Sequence, residues 1–109
     1  MAPRTKPNPE PELRDGKLIV LNVNHPGNES RADPQKYADM RAAMLKVLPD
    51  APPGLTQSEV FAAVKPHLPQ ATFPAGKASG WWAKTVQLDL EARGILKRTN
   101  KKPLTWYRA

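Results

Sequence analysis

Cysteine is absent from the 109 residues, so neither a disulfide nor a thiolate metal site can staple this chain. Long apolar runs are absent too. The longest, Leu18 to Leu21, falls far short of the roughly 20 residues a membrane helix needs. The opening stretch MAPRTKPNPEPELRDG lacks the apolar core of a secretory signal, so the expected location is cytoplasmic. Histidine is scarce: His25 sits in a turn and His67 between prolines, neither has a second ligand at metal spacing, and both are expected to be exposed. No glycine-rich phosphate loop, nucleophile elbow or pocket-forming carboxylate pair occurs, and Ser30, Ser58 and Ser79 have no base motif beside them. These absences argue against an enzyme and against any metal or cofactor.

What is present is positive charge, and it is unevenly spread. The chain carries a net +7. Its last third, residues 77–109, holds Lys77, Lys84, Arg93, Lys97, Arg98, Lys101, Lys102 and Arg108 against only Asp89 and Glu91, so almost the whole excess lies there. A basic excess that local favours a polyanionic partner; the plainer alternative is a solvated charged face.

A chain of this length buries about 60 to 70 % of its unfolded surface and supports one core. Residues 1–16 contain four prolines, mixed charges and one large apolar residue, Leu13, a composition that predicts a disordered tail. Residues 17–109 are expected to form the single domain. Within it KLIVLNV, residues 17–23, reads as a strand closed by the turn residues Asn24, Pro26, Gly27 and Asn28. Asp33 before Pro34 predicts a helix start, and Tyr37, Met40, Met44, Leu45 and Leu48 recur on one face up to Pro49. Thr56 and Glu59 have capping-box spacing, with Leu55 and Val60 placed as a hydrophobic staple; Pro66 ends that second helix near Lys65. After a loop over residues 69–78, Ser79 is the expected cap of a third helix that runs to Arg93 and stops at a left-handed Gly94. The runs Ile95–Arg98 and Leu104–Tyr107 then read as two strands of a hairpin tipped by Asn100 and its neighbouring cations.

The order of three helices and a C-terminal two-stranded hairpin, and in particular VQLDLEARGIL with Leu90, Gly94, Ile95 and Leu96, resembles the winged helix-turn-helix superfamily over roughly residues 34–108. The expected fold class is therefore α+β, a winged helix, with KLIVLNV open to being added at the edge of the wing sheet. In that superfamily the third helix and the wing approach DNA. The stretch from Pro66 to Ser79 is longer than the three or four residues of a compact helix-turn-helix joint. LNVNHPG, GLTQSEV and GWWAKTVQLDLEARG together are also similar to a family of small bacterial proteins described as a domain of unknown function.

The resemblance and the charge agree on a DNA-binding protein, with transcriptional regulation as its natural use. Lys77, Lys84, Lys97, Arg98, Lys101 and Lys102 are the candidate phosphate contacts, because flexible cations at a helix start and a hairpin tip can follow a duplex backbone. Thr85 and Gln87 are the candidate base readers. At 100° per residue the third helix shows two apolar stripes. Trp82, Ala83, Val86 and Leu90 form one, and Trp81, Thr85, Leu88 and Ala92 the other; Asp89 and Arg93 are spaced to pair, and Lys84, Gln87 and Glu91 are left as a narrow polar arc. The first stripe is core. The second is either packed under the N-terminal strand or the first helix, or exposed at Trp81 and Leu88 as a surface for a protein partner or a second copy, the alternative function on the same scaffold. Trp106 and Tyr107 alternate on the last strand, so one enters the core and the other faces out.

Overall fold

A computed structural model describes residues 10–100 and 102–109. Among them, three helices and two small antiparallel sheets form one α+β unit. The first sheet consists of Leu13–Arg14 (β1), Lys17–Leu21 (β2) and Glu29–Ala32 (β3), with β2 in the middle. Two expectations change here. Residues 10–16 are not a tail: Asp15 and Gly16 both have positive φ, 53° and 78°, and make the two-residue turn that folds Arg14 back onto Lys17. Residues 1–9 lie outside the described residues. Nor does β2 join the C-terminal hairpin. The Asn22–Asn28 turn closes on itself, with the amides of His25 and Asn28 donating to the carbonyls of Asn22 and His25 at 3.0 and 3.1 Å. The chain returns as β3, which supplies β2 with a local partner.

The first helix, Pro34–Val47 (α1), starts where the sequence places it: the Asp33 carboxylate accepts from the Lys36 amide at 2.9 Å. A short strand, Leu55–Thr56 (β4), leads into Gln57–Val64 (α2), whose capping box is complete. There the Glu59 carboxylate accepts from the Thr56 amide at 2.8 Å and Thr56 Oγ1 accepts from the Glu59 amide at 3.3 Å. Pro66 turns the helix end into a 3-10 turn over Lys65–His67. The long connector is anchored, since Phe73 is buried and meets Trp82 edge-on at 6.4 Å. The third helix, Ser79–Ala92 (α3), is not capped by Ser79. Ala78 holds the cap position in a left-handed conformation, φ 63°, and Ser79 is the first helical residue and buried. At the other end Gly94 takes φ 78° as expected. Leu96–Arg98 (β5) and Thr105–Arg108 (β6) complete the second sheet, in the order β4-β6-β5, so the strand that precedes α2 lies against the last strand of the chain.

The core lies between the helices: Met40, Met44, Val60, Val64, Ala83, Val86 and Leu90 are all completely buried. The stripe Trp82, Ala83, Val86 and Leu90 thus faces inward as its spacing implies. Trp106 enters the core from β6, and Tyr107 is only half-buried.

One polar cluster joins the halves. The Asp89 carboxylate, wholly buried in α3, accepts from the Leu21 amide at 2.8 Å, from Arg93 Nε at 2.9 Å and from the Tyr37 hydroxyl. Arg93 Nη2 in turn donates to the Ile19 carbonyl at 3.0 Å. The outer edge of β2, beyond the reach of β1, is therefore capped by side chains of α3 instead of by another strand. Burial first, and then the hydrogen bond to Asp89, push the Tyr37 hydroxyl well above its ordinary value of 10.0. Because the folded form holds this proton more tightly than the unfolded chain, the contribution is complete below pH 10 and is lost as pH rises beyond it. Urea melts taken between pH 9 and 11.5 should show Tyr37→Phe losing less stability per pH unit than the parent, by up to about 1.4 kcal/mol for each unit. Parallel slopes would contradict it.

Candidate nucleic-acid interface

The cations singled out in the sequence fall on α3, on the turn before it and on the β5–β6 hairpin. Lys77, Lys84, Lys97 and Lys102 are all exposed, and none makes an ion pair among the described residues. Lys101 lies outside the described residues. The two acids of the same segment are both turned inward. Asp89 is held by Arg93, and the Glu91 carboxylate, with a side chain 4 % exposed, is gripped in a fork by Arg98 Nε and Nη2 at 2.5 and 2.9 Å. The lysines consequently stand without local compensation.

Three sequence assignments need correction. Gln87 is 2 % exposed and cannot meet a base edge from inside the helix packing. Its polarity suggested a solvent position, but the residue lies beside Val86 and Leu90 on the side of α3 that faces the core. Glu91 leaves the expected polar arc for the same reason: Arg98 draws it inward. Arg98 itself is a fastener. Its guanidinium joins Glu91 of α3 and stacks 5.6 Å above the Trp106 ring, fixing β5 to α3 and β6. It is therefore not a free phosphate contact.

The second apolar stripe divides. Trp81 is 63 % exposed and touches Trp82 edge-on at 5.1 Å, whereas Leu88 is half-buried and its carbonyl accepts from the Val23 amide at 3.3 Å. Trp81, the half-buried Thr85 and Leu88 form one wall of a groove of about 170 Å³ whose other wall is the first sheet, including Val20, Ser30 and Arg31. Thr85 thus faces this groove and is the one base-reading candidate with any exposure. Ser30 has no base motif and Arg31 no motif of any kind; the sequence signal for their place is the HPGN turn, which returns the chain beside β2.

The surface offers four exposed lysines, before α3, on α3 and on the β5–β6 hairpin, and one large exposed aromatic side chain, Trp81, in the wall of a shallow groove. Among the described residues no group of side chains could hold a metal ion, and no helix is long and apolar enough to cross a membrane. Both histidines are exposed. The sequence model of a family of unknown function, DUF6958, matches residues 17–106, from the first residue of β2 into β6. No curated protein and no solved structure matches the chain.

Proposed function

The chain belongs to the family of unknown function DUF6958, and we propose that it is a duplex-DNA-binding protein on a winged-helix scaffold, gripping phosphates through Lys77, Lys84, Lys97 and Lys102. The observation that carries this reading is the asymmetry of neutralisation. Asp89 and Glu91 are internally paired and hidden, while the four lysines are exposed and unpaired among the described residues. The scaffold reading is supported by the pairing of β4, which lies between α1 and α2, with β6 of the C-terminal hairpin. With Gln87 buried and Thr85 half-buried in the groove, α3 has little polar surface to offer bases. Binding is therefore sequence-tolerant, and a regulatory role would take its specificity from elsewhere.

Neutralising about four phosphates gives a salt slope near −3.6, so affinity should fall roughly 100-fold between 50 and 200 mM salt. Fluorescence anisotropy with mixed-sequence duplexes measures this directly. Lys97→Ala should weaken binding and flatten the slope by about one while leaving stability unchanged. Arg98→Ala should instead destabilise the fold, because it strands the Glu91 carboxylate. Absence of binding at low salt, or binding indifferent to Lys84→Glu and Lys97→Glu together, refutes the proposal.

A further inference from the structure

We propose that this protein forms a two-fold dimer through the open edge of its first sheet, β3 of one copy pairing antiparallel with β3 of a second copy about Ser30. Glu29 of each copy then faces the partner's Arg31. This inference does not depend on DNA binding; it rests on which way the backbone of β3 points and on the order of charges along it.

The direction follows from β2. The Ile19 amide bonds the Glu12 carbonyl at 2.9 Å, the Ile19 carbonyl accepts from Arg93 at 3.0 Å, and the Leu21 amide bonds Asp89 at 2.8 Å. Residues 19 and 21 thus turn their backbone groups away from β3. In an antiparallel ladder these directions alternate, so Leu18 and Val20 turn toward β3 and meet Ala32 and Ser30. Glu29 and Arg31 must then present their amides and carbonyls outward, where no described strand lies. All three residues Glu29, Ser30 and Arg31 are exposed.

Such an edge invites another strand unless something blunts it. Of the usual devices ESRA has no proline, lysine or bulge, only its four-residue length and its two charges. Its two charges instead make the edge complementary to itself. A two-fold axis through Ser30 sets Arg31 opposite the partner's Glu29 twice, and these are the outward-pointing residues, so four main-chain hydrogen bonds and two opposite-charge pairs form together. A two-fold axis through Glu29 or through Arg31 would instead set like charges face to face. A slip by one residue would present inward-pointing groups to outward-pointing ones. The present partners of these side chains are weak: Arg14 meets Glu29 and Asp15 meets Arg31 only at 3.8 Å, with every side chain largely exposed. Trp81 adds apolar surface at the right place. It is 63 % exposed and shares its groove with Ser30 and Arg31, and a sheet continued across the axis extends that groove over the indole.

Sedimentation equilibrium of the full chain over a range of concentrations is the test. The mass should rise from the 12.1 kDa of one chain toward twice that value. Arg31→Glu, which sets four acids along the junction, should leave a monomer, and Glu29→Arg combined with Arg31→Glu should restore the dimer. Arg31→Pro removes only an outward amide hydrogen, so it should also give a monomer with unchanged near-ultraviolet dichroism. Hydrogen exchange at the Glu29 and Arg31 amides should slow as concentration rises. A parent chain that stays monomeric at millimolar concentration overturns the proposal, as does a dimer that survives Arg31→Glu, or a charge swap that fails to restore one. If Arg31→Pro fails to fold, the Arg31→Glu variant and the swap still decide the matter.

Discussion

Asp89→Ala should cost about 3 to 5 kcal/mol of folding stability, the range for breaking a buried ion pair from one side. Asp89 is wholly buried, and its removal leaves three donors without their acceptor: the Arg93 guanidinium, the Tyr37 hydroxyl and the Leu21 amide. The guanidinium is the most expensive of them, because Arg93 is only 9 % exposed and water cannot readily replace the carboxylate. Small domains are stable by about 5 to 15 kcal/mol in total, so this variant should stand close to unfolding at ambient temperature. Asp89→Asn keeps an acceptor for Leu21 or Tyr37 while removing the charge that faces Arg93, so its loss should be smaller than that of the alanine variant. Urea melts followed by tryptophan fluorescence resolve the order. A loss under about 1 kcal/mol for the alanine variant would mean that the cluster does not hold the two halves together.

Gly54→Ala should cost about 2 to 5 kcal/mol, far more than the same change at Gly94. Both glycines have left-handed φ, 77° and 78°, so an alanine at either position bears the roughly 1 to 2 kcal/mol of that conformation. The surroundings differ. A methyl group at Gly94 meets nothing within 4 Å, but at Gly54 it falls 2.4 Å from the Trp106 carbonyl oxygen. That atom is backbone and cannot rotate aside, so β4 must move away from β6 and loosen the Leu55–Trp106 pairing. Such overpacking adds about 1 to 3 kcal/mol. Thermal melts of the two variants should therefore separate clearly, and equal losses would show that the β4–β6 contact yields freely. Because β6 carries the hairpin and β5 carries Lys97, the Gly54 variant should also bind DNA less tightly in the proposed reading.

The helices were legible because their signals are local. Asp33 and Pro34, Thr56 and Glu59, and Gly94 each act through atoms within one turn, and each is found where the sequence puts it. The first sheet was only one-third legible. KLIVLNV announces β2 by its own composition, whereas β1 and β3 are short, exposed and charged, and exist because β2 offers them a ladder. The composition of residues 1–16 points to a tail, although Asp15-Gly16 is a two-residue hairpin signal. In the candidate site, Lys77, Lys84, Lys97 and Lys102 are exposed, since little but solvent suits an unpaired lysine. Gln87 and Arg98 were misplaced because their roles are set by residues distant in the chain or across a turn: helix packing encloses Gln87, and Glu91 captures Arg98. Asp89 was seen as a partner for Arg93, but nothing local announces that Tyr37 and Leu21, 52 and 68 residues away, would share its carboxylate.

That long reach also orders events in time. The outer edge of β2 cannot be completed by its sequence neighbours, because its last donors and acceptors are answered by residues made some 70 positions later. Contacts of that separation close slowly, and during synthesis the first sheet leaves the ribosome well before α3 exists. Until then part of one side of β2 has unanswered backbone groups, the kind of edge on which other strands can pair. Asp89 and Arg93 answer them, so a helix made late completes a sheet made early.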